Sequence, residues 1–298
     1  MTVRLPADLR GLELVVTRRL EGLLQGDHRG LLPGPGYEPG DARIYEPGDD
    51  VRRIDWNVTA RTGRLHVRDT VADRELELVL AVDRTASMSF GTAAPKEQVA
   101  LAVAATFGFL AQRGGNRVGA AFLEPGGEVR WFRPRAGRDP FLGLLSRLSR
   151  PVRREGGGPG HLGLALGRVA RLARRRGMVV VVSDFLDEGP WERSLRSVAT
   201  RHEAVAVEIV DPWEDELPPV GVVTLADPET GRRRTVDTRG VAIRHRREAA
   251  RRRAEIRRRV LGAGAHHLRL RTDRDWLREV LFFAVDRRRA AWTSGRPA

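Results

Sequence analysis

The chain has 298 residues, with 53 basic against 39 acidic side chains and a formal net charge of +14. It contains no cysteine, which excludes disulfides, thiol catalysis and thiolate-bound zinc. No apolar stretch approaches the ~18 residues that a membrane span needs, and the N-terminus lacks the tripartite pattern of a signal peptide. The reading is a soluble cytoplasmic protein, long enough for one large α/β domain with an extension or for two small domains. Such a charge suits nucleic acid, anionic lipid or an acidic protein partner. Lys96, however, is the only lysine, and so extreme an arginine bias marks overall composition rather than a phosphate-binding surface.

Residues 7–25 place Leu9, Leu12, Val16, Leu20 and Leu23 near helical spacing with arginines between them, the pattern of an amphipathic helix docked on a larger body. Gly26–Gly40 is rich in Gly and Pro and reads as a loop or linker. The stretch Tyr45–Arg61 is more distinctive. Tyr45 and Trp56 are expected to anchor it. Asp49, Asp50, Arg52, Arg53, Asp55 and Arg61 are expected to fix its path as an Arg–carboxylate network, a clamp packed against a sheet.

Leu76–Val82 is a short apolar run that stops at Asp83 and is followed by a small polar loop and an Ala-rich helix, Pro95–Arg113. Strand, acidic loop and helix form a ligand site at the carboxyl end of a parallel strand. Asp83, Thr85 and Ser87 lie two apart, so a turn can aim a carboxylate and two hydroxyls at one point. Hard oxygen donors of this kind suit Mg²⁺. On local spacing alone the favoured reading is that the same residues satisfy the loop backbone and cap the next helix.

Downstream, Arg117–Leu123 and Val129–Phe132 read as paired strands, and Asp139–Arg150 as a helix capped by Asp139. A Gly-rich loop, Arg153–Gly160, leads to a helix over Leu162–Arg176. Gly156–Gly160 lacks the Lys-Ser/Thr of a phosphate-binding loop. Met178–Val182 is a strand buried on both faces, and it ends in Ser183-Asp184, again an acid at a strand end. A helix over Pro190–Arg201, a strand over Ala204–Val210 and a hairpin of Val220–Leu225 with Arg234–Asp237 follow. A basic helix over Ala242–Leu261, a strand over His267–Leu270 and a helix over Asp273–Arg289 complete the chain. Alternating strands and helices support a doubly wound, mostly parallel α/β sheet.

The signature Gly48-Asp49-Asp50-x-Arg52-x-Ile54-Asp55-Trp56, followed by Ala60-Arg61-x-Gly63-x-Leu65, resembles that of the bacterial family known as domain of unknown function 58. In that family the signature precedes a von Willebrand factor A-like domain. The resemblance implies a Rossmann-like sheet over 76–290, an N-terminal helix and signature segment over 1–75, and a disordered tail at 291–298. Within the signature, Tyr45, Gly48, Asp49, Asp50, Arg52, Ile54, Asp55, Trp56 and Arg61 are expected to be structural or to dock a partner. The resemblance also implies a metal-ion-dependent adhesion site holding Mg²⁺ or Mn²⁺ through Asp83, Thr85, Ser87 and Asp184, with a partner's carboxylate completing the shell. Where the family usually carries a second-loop Thr, this chain has Gly160-His161. His161 is a candidate replacement, although imidazole suits softer metals.

The function expected on these grounds is a non-enzymatic protein-binding adaptor, with a MoxR-type AAA+ ATPase as the partner the resemblance implies. Two alternatives belong to other classes. A metal-dependent hydrolase using Asp83 and Asp184 needs a general base or a second metal, and no suitably spaced His/Glu set is present. Nucleic-acid or anionic-surface binding would use Gly231–Arg259, where 13 arginines face only Asp237, Glu248 and Glu255. Arg247, Arg251 and Arg258 are its candidate contacts. His266-His267 and the acids Asp187 and Glu188 read as sheet and loop positions.

Overall fold

The computed structural model describes residues 11, 13–18, 42–47, 49, 51, 54–68, 76–151, 160–187, 189–227 and 232–283. The Gly26–Gly40 segment, most of the Gly-rich loop before Gly160, Glu188 and the 291–298 tail lie outside them. So do Gly48, Asp50, Arg52 and Arg53 of the signature.

In chain order, helix α1 is described at residues 11 and 13–18. Strand β1 (Ala42–Ile44), helix α2 (Trp56–Thr62) and strand β2 (His66–Arg68) form the signature unit, in which β1 pairs antiparallel with β2. Next come β3 (Glu77–Asp83), α3 (Lys96–Arg113), β4 (Arg117–Leu123), β5 (Val129–Arg135) and α4 (Arg138–Leu148). They are followed by α5 (Leu162–Leu172), β6 (Gly177–Ser183), α6 (Trp191–Ala199), β7 (Glu203–Val210) and the short α7 (Pro212–Asp215). A separate hairpin of β8 (Val222–Ala226) and β9 (Arg233–Asp237) leads into α8 (Thr238–Gly262) and β10 (His266–Arg271). Residues 276–283 are helical and are α9.

The six-stranded sheet has the order β10-β7-β6-β3-β4-β5, parallel except for β5, which runs antiparallel to β4. Counted along the sheet's own strands this is the doubly wound order, with its reversal between β3 and β6. The strand sequences account for the burial. Leu78, Leu80 and Val82 of β3 pack into one apolar layer with Val99, Val103 and Phe107 of α3, Leu145 of α4 and Trp276 of α9. Val79 and Ala81 face the opposite layer, with Leu166 of α5, Leu195 of α6 and Ile256 of α8. Alternate residues thus serve two cores, so these strands read as continuous apolar runs.

Three local expectations meet specific outcomes. The N-terminal helix docks on the main body: Val16 is fully buried in the first layer, and Glu13 pairs with Arg138 of α4 at 2.7 Å. Asp139 does not cap α4. The helix starts one residue earlier, at Arg138, after Gly137 turns the chain at φ 96°, which leaves Asp139 inside the first turn. Trp56 does not anchor the signature segment. It is 67% exposed at the start of α2, whereas Tyr45 is half-buried.

Within the signature, Asp55 caps α2 by accepting from the amides of Asn57 and Val58 at 3.0 and 3.3 Å. Asp49 accepts from the Glu46 amide at 2.9 Å and closes a turn. Ile54 is half-buried and bridges Val67 of β2, while Arg61 is exposed in the last turn of α2. The expected Arg–carboxylate network depends on Arg52 and Arg53, which lie outside the described residues.

Candidate functional site at the sheet's switch point

Neighbouring parallel strands whose connections leave in opposite directions open a crevice at their carboxyl ends. Here that crevice lies between β3 and β6, and the residues at its two lips are Asp83 and Asp184. The backbone departs at once on both sides. The Arg84 amide donates to the Leu123 carbonyl of β4 at 2.9 Å, and Phe185 adopts φ 54° immediately after Asp184.

Asp83 is 4% exposed and fully engaged. One carboxylate oxygen accepts from the Thr85 amide at 2.9 Å and the Thr85 hydroxyl at 2.7 Å; the other accepts from the Ser183 hydroxyl at 2.7 Å. Thr85 Oγ1 and Ser87 Oγ are 3.3 Å apart, and the Ser87 side chain hydrogen-bonds Asp184. The sequence therefore brings Asp83, Thr85, Ser87 and Asp184 together as expected. Burial and the nearby Asp184 charge push the Asp83 carboxyl up to about 6, against the opposing hydrogen bonds from Ser183 and Thr85.

The structure adds a residue that sequence reasoning left unassigned. Lys96, at the first position of α3, is completely buried. Its Nζ lies 2.6 Å from Asp184 Oδ2 and 2.6 Å from Glu214 Oε1. Burial alone would lower the lysine, but the carboxylates of Asp184 and Glu214 outweigh it and hold the ammonium above its ordinary value. Burial likewise raises Asp184, but the Lys96 charge and hydrogen bond, with the Leu186 amide and Ser87, bring it below the usual carboxylate range.

The network continues away from the crevice. Glu214 also accepts from the Asp211 amide at 3.0 Å and from Arg253 Nη2 of α8 at 3.2 Å. Arg253 bonds Glu208 of β7 at 2.9 Å, and Glu208 in turn meets His267 Nε2 at 2.9 Å. Asp211 takes the Thr92 amide at 2.6 Å and the Thr272 hydroxyl at 3.0 Å, tying the loop after β3 to the ends of β7 and β10. One signal in the sequence marked this network: a solitary lysine among 53 basic residues. Lysine offers a compact point charge that the planar arginine fork does not reproduce.

The donor set leaves little for a resident divalent ion. Mg²⁺ demands near-octahedral oxygen ligation with several retained waters. Both Asp83 oxygens are already bonded to protein donors, and one Asp184 oxygen holds an ammonium. The second loop is also closed sterically, since a Cβ at Gly160 would sit 2.7 Å from the Thr85 γ-methyl. The methyl by which Thr85 differs from serine therefore fills the space that a second-loop threonine would use. His161 is held elsewhere, with Nδ1 2.9 Å from Asp187, whose other oxygen accepts from the Leu162 amide at the start of α5. Among the described residues, no three His, Asp or Glu side chains are grouped to share a metal. In this arrangement the residues do not fit a resident Mg²⁺ or Mn²⁺.

The basic surface is separate from the crevice. Arg247 and Arg251 are exposed on α8, whereas Arg258 is paired with Glu255 at 2.6 Å. Arg259 stacks over Trp191, 4.1 Å from its ring centroid. His267 is a sheet residue bonded to Glu208, as its position at a strand start suggested.

A family model described as "Protein of unknown function DUF58" matches residues 41–257. The chain belongs to this family. An uncharacterized protein of Mycobacterium tuberculosis, Rv1480, is 47% identical over 293 residues, covering 97% of this chain and 91% of its own length. A shorter uncharacterized protein of Mycobacterium avium is 41% identical over 159 residues, covering 53% of this chain and 94% of its own. Among solved structures, BatB from Bacteroides thetaiotaomicron aligns at TM-score 0.46 and 12% identity, covering 71% of this chain and 98% of that one. A von Willebrand factor type A protein from Catenulispora acidiphila aligns at TM-score 0.41 and 13% identity, covering 72% and 42%. No helix among the described residues is long and apolar enough to cross a membrane.

Proposed function

We propose that this DUF58 chain is a non-enzymatic, cytoplasmic adaptor that binds a protein partner on the face above the β3–β6 crevice. The observation that carries this reading is the closed state of the crevice chemistry. Asp83, Thr85, Ser183, Asp184 and Lys96 are all buried and linked by hydrogen bonds, so the two hydroxyls that donate to Asp83, those of Thr85 and Ser183, are both inaccessible to a substrate. Such a network holds loops in place; it does not offer a nucleophile and base to solvent.

Side chains that do reach solvent around it suit recognition. Phe90, in the loop after β3, is 37% exposed; His161 lies exposed on the neighbouring loop, and Ser87 is partly exposed. An exposed aromatic on a loop fixed by buried hydrogen bonds is the kind of residue that dominates binding energy at an interface. The partner class carried from the resemblance is a MoxR-type AAA+ ATPase.

The test is calorimetric titration of a purified MoxR-type ATPase into the wild-type chain and into Phe90→Asp. Binding weakened at least tenfold by the substitution, with the fold unchanged by circular dichroism, supports the reading. Undiminished binding by Phe90→Asp moves the docking surface elsewhere. Turnover of a phosphoester panel, lost in Asp83→Ala, would replace the adaptor with a hydrolase.

A further inference from the structure

Lys96 stands where local physics disfavours it. The N-terminus of an α-helix carries partial positive charge and prefers acids, yet the single lysine of this chain opens the 18-residue helix α3. A lysine side chain also loses rotamer freedom and hydration when it is buried. Both costs are incurred at one position whose ammonium reaches Asp184 at one lip of the crevice and Glu214 after β7.

We infer that the Lys96 ammonium is the resident cation of this site, standing where the adhesion site of the wider fold would hold a divalent ion, so that the free chain's site is complete without metal. Three independent features agree. The ammonium bonds Asp184 Oδ2, a carboxylate oxygen at the strand end. The Thr85 methyl fills the space beside Gly160, so no second-loop hydroxyl can be added without displacing it. Asp83 has both oxygens bonded to neighbouring donors, so an incoming ion would have to compete with the Thr85 and Ser183 hydroxyls for it.

The second carboxylate on Lys96 gives the arrangement a consequence that a metal would not have. Glu214 lies on α7 and is gripped by Arg253 of α8. The lysine therefore links the crevice to the β7–α8 side of the molecule. A Mg²⁺ ion recruited by a partner would have to displace the ammonium from Asp184, and with it the tie to Glu214. The inference rests on the crevice being the functional face, but its test does not depend on any partner docking.

Because Lys96 is the only lysine, protein grown on ε-¹⁵N-lysine gives one side-chain signal, and the experiment is a MnCl₂ titration of that sample beside calorimetry. For the wild type we expect no one-site heat up to millimolar Mn²⁺ and no selective broadening of the lysine signal. Lys96→Met combined with Thr85→Ser and Gly160→Thr, which removes the ammonium and the blocking methyl and supplies the second-loop hydroxyl, should bind one equivalent of Mn²⁺, and adding Asp184→Asn should abolish it. One-site Mn²⁺ binding by the wild type, broadening the lysine signal, overturns the inference. So does a folded Lys96→Met/Thr85→Ser/Gly160→Thr that binds no Mn²⁺. Should Lys96→Met fail to fold, Lys96→Gln takes its place, and the wild-type titration by itself still distinguishes a metal-free site from a metal-binding one.

Discussion

Replacing Lys96 by Met keeps the length and much of the volume of the side chain and removes only the charge. The loss falls unevenly on its two partners. Glu214 retains the Asp211 amide and Arg253, and its side chain is partly exposed. Asp184 is 2% exposed and keeps only the Leu186 amide and Ser87. Removing one member of a buried ion pair typically costs about 3–5 kcal/mol, because the other charge stays buried and uncompensated. Against a total stability of about 5–15 kcal/mol this is a large fraction. With a urea m-value of about 3 kcal/mol/M, the midpoint should fall by roughly 1–1.7 M.

The origin of the loss is separable by a cycle. Asp184→Asn removes the stranded charge, so Lys96→Met/Asp184→Asn should be more stable than the sum of the single changes by about 2 kcal/mol or more. Urea denaturation followed by tryptophan fluorescence measures all four proteins. A Lys96→Met loss below about 1 kcal/mol, or additivity within about 0.5 kcal/mol, would refute a dominant Lys96–Asp184 pair.

Asp83 behaves oppositely with pH. Its folded pKa of about 6 lies above the ordinary 3.8, so the fold favours the protonated form; that stability is present below 3.8 and is lost as pH rises through 6. Asp83→Asn cannot ionise, and between pH 4 and pH 7.5 it should gain on wild type by roughly 2 kcal/mol, read from urea midpoints; a constant difference across that range contradicts the assignment. Gly160→Thr should cost about 1–3 kcal/mol through the 2.7 Å clash with the Thr85 methyl, and Thr85→Ser should recover much of that loss in the double variant; equal losses with and without Thr85→Ser would show the two positions to be independent. Trp56→Ala, at a residue 67% exposed, should change the melting free energy by no more than about 0.5 kcal/mol, whereas an anchoring role would cost several times that.

The sheet was legible because its strands are buried on two sides. Met178–Val182 has no polar alternation to blur it, and Asp83 and Asp184 each end such a run abruptly. The site's acids were therefore readable as strand ends from the chain alone. Lys96 was not, because its partners lie 88 and 118 residues away in sequence and its place at a helix start runs against the dipole preference. Arg253 was hidden for a related reason. Within an arginine-rich helix, nothing local separates the one guanidinium buried against Glu208 from its exposed neighbours Arg251 and Arg252. Trp56 misled through size alone. An aromatic at the start of a helix capped by Asp55 packs inward or outward depending on tertiary surroundings that its sequence neighbours do not encode.

That the face above the β3–β6 crevice is the docking surface is tested most directly by amide hydrogen exchange on the complex with a MoxR-type AAA+ ATPase, recorded in EDTA. We expect new protection confined to the loops at 84–92, 160–162 and 184–190, with the complex forming without divalent metal. Protection confined to 231–259 or to the signature at 42–68, or a complex that forms only when Mg²⁺ is restored, would contradict that assignment.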